Sequence, residues 1–127
     1  MKYEDMIDLA KDVSIHAYAP YSNFKVGACV LAESGKTYTG CNFENSSFGM
    51  TICAERNAIG SAIAQGERKI KAVAIYSPNI KNCTPCGACR QVMTEFKSDD
   101  GIDIIVETET GIKVYKLSEL LPETFEL

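Results

Sequence analysis

No stretch of this sequence stays apolar for the ~20 residues that a membrane-spanning helix needs, so no membrane partner is expected. There is no GxxxxGK[ST] segment, which removes the usual backbone cradle for a nucleoside triphosphate. Basic residues are in deficit: 13 Lys and Arg stand against 17 Asp and Glu, for a net charge of −4. Nucleic-acid binders carry a basic balance or stripe, so DNA and RNA are excluded as expected partners, and a small, weakly charged or uncharged substrate fits better. The start, Met1-Lys2-Tyr3-Glu4-Asp5-Met6, lacks the basic and apolar regions of a secretory signal and predicts a cytoplasmic address. Low-complexity tracts and internal repeats are missing as well. The single histidine, His16, reads as a structural residue late in a first helix.

What remains is an ordinary globular composition, 46% hydrophobic and 24% charged over 127 residues. That length suits one domain, residues 1–127, with a core that needs no disulfides. Six cysteines in a reducing compartment point to metal ligands or buried thiols rather than cross-links. Met6, Leu9, Ala10, Val13 and Ala17 recur at helical spacing. Lys25 to Ala32 and Thr37 to Asn42 predict a hairpin turned by Glu33-Ser34-Gly35-Lys36, its first strand apolar on both faces. Asn45 to Met50 reads as a loop. Helix is predicted from about Cys53 to Gln65, stopped by Gly66, and from Thr84-Pro85, a cap and first-turn proline, to about Lys97. Ala72–Tyr76, Ile102–Val106 and Lys113–Tyr115 read as strands, and Leu117–Leu121 as a short last helix. Helices alternating with strands predict an α/β fold with a mixed sheet, whose two crossovers supply parallel pairs. Both cysteine motifs then fall where open α/β sheets place ligands.

Those motifs are Cys53-Ala54-Glu55-Arg56 and Pro85-Cys86-Gly87-Ala88-Cys89-Arg90. Cys86 and Cys89 are three apart, so a helix's first turn puts both thiols on one face. Cys53 opens the other helix. Helix N-termini stabilise thiolates. Three protein ligands leave a tetrahedral zinc open to water, and a non-ligating Glu55 can move protons beside it. Three thiolates overcharge the metal. Arg56 and Arg90 can donate to the sulfurs and spread that charge. Cys53 and Glu55, two apart, cannot share a helix face; both reach one site only if Cys53 lies at or before the helix cap or if the zinc sits over the helix end, and the second is the expectation.

Three other readings of the thiols stay open at this point. Cys83 could close the site as a fourth ligand in a structural zinc module. Cys83-x-x-Cys86-x-x-Cys89 has half of an iron–sulfur pattern but lacks the following Cys-Pro. Cys86-Gly87-Ala88-Cys89 has the spacing of a redox pair, which leaves Cys53 and Glu55 unexplained. Cys29 and Cys41, in strands, read as buried core thiols.

The two motifs match the zinc-dependent base deaminases. With Ala17-Tyr18-Ala19-Pro20-Tyr21-Ser22-Asn23-Phe24-Lys25-Val26-Gly27-Ala28, Gly40-Cys41-Asn42-Phe43-Glu44-Asn45 and Leu120-Leu121-Pro122-Glu123-Thr124-Phe125, the chain resembles the small homotetrameric cytidine deaminases over nearly its whole length. The resemblance implies a three-layer α/β/α fold with a mixed, roughly five-stranded sheet. It implies one Zn²⁺ per subunit on Cys53, Cys86 and Cys89, with Glu55 as proton shuttle. It implies Asn42 and Glu44 on the ribose, Phe24 against the pyrimidine face, the Ala54 N–H on the base carbonyl, and Phe125 closing a neighbouring subunit's site. The implied reaction is hydrolytic deamination of cytidine and 2′-deoxycytidine to the uridines and ammonia, in nucleoside salvage. The alternatives are a blasticidin-type aminopyrimidine substrate or a structural zinc module. One departure is Phe48, where family members commonly have tyrosine: the ring can pack between subunits but cannot hydrogen-bond.

Overall fold

The computed structural model describes residues 1–127. Helix α1 (Tyr3–Ser14) is followed by strands β1 (Gly27–Ala32) and β2 (Thr37–Cys41), then helix α2 (Ala54–Ala64) and strand β3 (Ile70–Tyr76). Helix α3 (Gly87–Glu95), strands β4 (Asp103–Thr108) and β5 (Gly111–Lys116) and the single turn α4 (Leu117–Leu120) complete the chain. The five strands form one sheet in the order β2-β1-β3-β4-β5.

Strand alternation sorts the core into two layers. On one face Cys29, Ala72, Ala74 and Ile105 pack under Met6, Ile7 and Ala10 of α1. On the other, Ala28, Val30, Val73, Ile75, Ile104 and Val106 pack under α2 and α3 through Ala54, Ala58, Ile59, Ala62, Cys89 and Met93. This is the three-layer α/β/α arrangement with a mixed sheet.

Three details differ from the sequence reading. First, α1 ends at Ser14 and buries Met6, Ile7, Ala10 and Ser14. Ala17 and His16 lie beyond it, and His16 is exposed and apart from the thiols. Second, α3 starts at Gly87 with Cys86 as its N-cap, so Thr84-Pro85 precedes the helix instead of capping it. Third, only β3 and β4 pair in parallel. The crossover from β2 through α2 sends β3 to the far side of β1, where it pairs antiparallel. β3 therefore shares the direction of β2 without touching it.

The layer that carries the site is pressed close to the sheet. A Cβ on Gly40 of β2 would lie 2.5 Å from the Ala58 amide nitrogen and 3.0 Å from the Ala54 carbonyl oxygen of α2. Both are backbone atoms and cannot swing away. Gly40→Ala is therefore expected to lower stability by about 1–3 kcal/mol, read as a fall in the urea midpoint at unchanged m-value. A wild-type midpoint would mean that α2 can lift off the sheet.

Candidate active site

Cys53 is the N-cap of α2, in extended backbone with φ −72° and ψ 156°. Cys86 holds the same position on α3, with φ −69° and ψ 168°. Capping resolves the spacing problem posed by Cys53 and Glu55. Cys53 stands just outside the helical turns, and Glu55, in the first turn, lines the same cavity. Cys89, one turn along α3, is completely buried.

The three sulfurs lie within 4.8 Å of one another. Cys53 and Cys86 are 3.8 Å apart and Cys86 and Cys89 are 3.5 Å apart. A tetrahedral zinc with ~2.3 Å bonds to sulfur requires sulfurs about 3.8 Å apart, so the donor set fits that ion in both chemistry and spacing. Cys83 is buried nearby and is not one of the clustered thiols. The iron–sulfur and Cys83-closed readings have no fourth sulfur in place.

The electrostatics follow from the packing. The Cys53 thiol is held below its usual range, first by hydrogen bonding from Cys89, then by Arg56 and Cys86. The Arg56 Nη2 group donates to Cys53 Sγ at 3.4 Å, while its buried Nε has no partner. Arg90 departs from the expected role. Its Nε donates to the Pro85 carbonyl and its Nη1 to the Leu120 carbonyl, each at 2.7 Å. It fastens the turn before Cys86 to the C-terminal segment, and these bonds go to carbonyls and not to the sulfurs. Glu55 is only 4% exposed. Burial, assisted by the nearby Cys53 sulfur, raises its carboxyl to about 7, against the opposing pull of its own backbone N–H, Cys89 and Arg56. A carboxyl poised there can both take and give a proton near neutral pH.

A cavity of about 320 Å³ opens onto these groups, lined among others by Phe24, Asn42, Glu44, Cys53, Ala54 and Glu55. Ala54 is the first residue of α2, so its N–H has no acceptor within the helix. Asn42 Oδ1 accepts from Val26 N at 2.9 Å, and Asn42 Nδ2 donates to the Phe24 carbonyl at 2.8 Å. One N–H of that amide stays free. Glu44 accepts from the Tyr21 and Ser22 amides at 2.9 and 3.2 Å and from the Ser22 hydroxyl; these bonds hold its carboxylate below the usual range, that of the hydroxyl most of all.

Phe125 is not brought to this cavity. It is 69% exposed on the C-terminal tail, which Gln91 Nε2 holds by the Phe125 carbonyl at 3.0 Å. Phe48 is 73% exposed and meets Tyr21 edge-on, with ring centroids 5.7 Å apart.

The cavity wall also includes Ser22, Val26, Thr51 and Thr84, to which the sequence reading gave no role there, and Cys83, read there only as a candidate fourth ligand. Ser22 and Val26 flank Phe24 at two-residue spacing, and Thr51 stands two before Cys53. In extended chain Val26 and Thr51 share a face with Phe24 and Cys53, so alternation was their signal; Ser22 lies in a turn before Asn23, whose φ is 58°, and alternation does not reach it. The spacing of Cys83 from Cys86 and Cys89 placed it beside the thiols; Thr84 offered no signal.

The fold and site together define a metal-binding deaminase domain: residues 1–102 match the family model described as the cytidine and deoxycytidylate deaminase zinc-binding region. A cytidine deaminase of Sporosarcina psychrophila is 42% identical over 125 residues, covering 98% of this chain and 92% of that protein. One from Halalkalibacterium halodurans is 42% identical over 109 residues, covering 86% and 83%. Among solved structures, the cytidine deaminase of Burkholderia pseudomallei superposes with a TM-score of 0.90 at 41% identity, covering 98% of this chain and all of that one. That of Mycobacterium tuberculosis gives 0.88 at 33% identity, covering 100% and 99%. The chain belongs to the cytidine deaminase family and is an enzyme of that kind.

Proposed function

We propose that this chain, acting as one domain, hydrolyses cytidine and 2′-deoxycytidine to the corresponding uridines and ammonia, with one zinc ion per chain. The observation that carries the reading is the three-thiol cluster at zinc spacing beside a buried Glu55 poised near neutrality. Cys53, Cys86 and Cys89 would hold the ion, which when bound lowers the pKa of a water in its fourth position.

The chain's own groups supply the rest. Glu55 takes a proton from the attacking water and passes it to N3 of the base, which makes C4 electrophilic. The water oxygen adds at C4. Glu55 then carries a second proton to the departing amine, and ammonia leaves. The Ala54 N–H holds the base carbonyl and Phe24 packs on the ring. The free Nδ2 hydrogen of Asn42 and a free lone pair of Glu44 suit a ribose hydroxyl, which donates and accepts. Glu44 also repels an added phosphate, which favours a nucleoside over a nucleotide.

The site is completed by self-association as a homotetramer. Phe125 stands away from its own cavity, while Tyr18, Tyr21, Phe43, Phe48 and Met50 are exposed on segments beside it. With Phe48 in place of tyrosine, this contact is apolar and lacks a hydroxyl bond. The enzyme works in the cytoplasm in nucleoside salvage; no helix is long and apolar enough to cross a membrane.

The test is ultraviolet monitoring of zinc-loaded protein with cytidine, alongside ammonia release and the mass of the species in solution. Turnover by a tetramer supports the reading. Turnover of a blasticidin-type nucleoside alone moves the substrate, and full activity as a monomer removes the role of Phe125.

A further inference from the structure

The β1–β3 ladder ends at the pair Gly27 and Tyr76, yet the two chains stay bonded beyond it through side chains. Lys25 N–H donates to Asn79 Oδ1 at 2.9 Å. Ser77 Oγ donates to the Lys25 carbonyl at 2.7 Å and accepts from Asn79 N–H at 3.1 Å. Both backbone groups of Lys25 are thereby satisfied by two residues of the loop that follows β3.

The two segments so joined both contribute to the wall of the cavity. Lys25 lies between Phe24 and Val26, which line it; the loop from Ser77 runs on to Cys83, Thr84 and Cys86, which line it as well. The far end of that loop is tied to β4. Asn82 N–H donates to the Glu107 carbonyl at 2.8 Å, and Lys81 pairs with the Glu107 carboxylate at 2.6 Å. Phe24 and Val26 are also held by Asn42, so a shift at Lys25 would reach the amide proposed to hold the ribose. Neither Ser77 nor Asn79 lines the cavity.

We propose that Ser77 and Asn79 are positioning residues that set the Phe24–Val26 wall at its distance from the thiol-bearing loop, and thereby set nucleoside affinity without touching the nucleoside. The proposal rests on the cytidine deaminase reading for its substrate and on the geometry alone for the brace.

The test compares Asn79→Ala, Asn79→Asp and Ser77→Ala with wild type in the zinc-loaded oligomer. Asn79 is exposed, so its replacement leaves the core intact even if Ser77→Ala does not fold. A carboxylate at position 79 still accepts the Lys25 N–H. Loss of one such bond is expected to raise KM for cytidine about three- to tenfold, with kcat within about twofold and metal content unchanged, and Asn79→Asp is expected to restore KM. Hydrogen exchange of the peptide spanning 19–27 is expected to quicken in Asn79→Ala and to recover in Asn79→Asp. An unchanged KM in Asn79→Ala overturns the proposal, whether or not exchange quickens. Exchange needs no turnover: an inactive wild type overturns the deaminase reading, while unaltered exchange overturns the brace.

Discussion

Glu55→Gln is expected to reduce turnover of cytidine by about 10³-fold while the protein keeps its metal and its fold. The magnitude is that of a proton-transfer group acting in the transition state. Glutamine has the shape of the carboxyl and can still hydrogen-bond in the buried site, but it cannot accept and release a proton. The loss should fall on kcat, because Glu55 is not among the groups proposed to hold the ribose or the base carbonyl. Metal analysis of the same sample separates the two ways of losing activity. An inactive variant without metal would show that Glu55 maintains the thiol cluster. A fully active one would remove it from the mechanism.

The same substitution has a signature in stability. Burial raises the Glu55 carboxyl from 4.5 to about 7, so folding opposes its ionisation. The folded protein thus holds a proton there that the unfolded chain releases above pH 4.5. Its contribution to stability falls as pH rises from about 4.5 to 7 and stays lost above that. Chelator-treated Glu55→Gln is therefore expected to melt at a higher temperature than chelator-treated wild type at pH 8. The two should converge at pH 4. Equal melting temperatures at pH 8 would mean that the carboxylate is solvated.

Cys86→Ala is expected to lose the bound metal, and with it all measurable activity and part of the thermal stability. Metal affinity is folding free energy once the site forms only in the native state. Cys86 is the exposed member of the cluster, so its truncation opens no cavity in the core, and the effect reads the metal site itself. Cys89 lies wholly inside, and Cys89→Ala would mix metal loss with a packing defect. Cys83→Ala is the control. A three-thiol site keeps its metal in that variant; loss of metal there would make Cys83 a ligand and close the site to water. Emission spectroscopy of dissolved metal, referred to protein concentration, reads all three.

Much of this architecture was legible in the sequence because it rests on local patterns. The doubly apolar run from Ala28 to Ala32, the turn at Ser34-Gly35 and the alternation of Ala72 to Ile75 placed strands close to where they fold. The thiol spacing and Glu55 announced a metal chemistry before any fold was known. The boundaries were less secure. Ala17 continues the apolar period of α1, but the chain breaks at Ile15 and leads instead to the bridge between Tyr18 and Phe43. Proline at 85 looked like a first turn, but the helix begins after Cys86.

The sequence by itself determined which thiols and which carboxylate are candidates for the chemistry, because donor type and short-range spacing are local properties. It also determined which segments are helix and which are strand, since the periods 3.6 and 2 are written in the positions of apolar side chains. Only the tertiary structure decided how those residues meet. Both thiol-bearing helix ends meet at one cavity because β3 crosses to the far side of β1, a choice of sheet order that no local period encodes. The burial that lifts Glu55 toward neutrality and the turning of Arg90 to the Pro85 and Leu120 carbonyls likewise depend on partners distant in the chain. So does the bonding of Lys25 by Ser77 and Asn79, more than 50 residues away. Such contacts are set when the layers close, and they decide the electrostatics and the fit of the site.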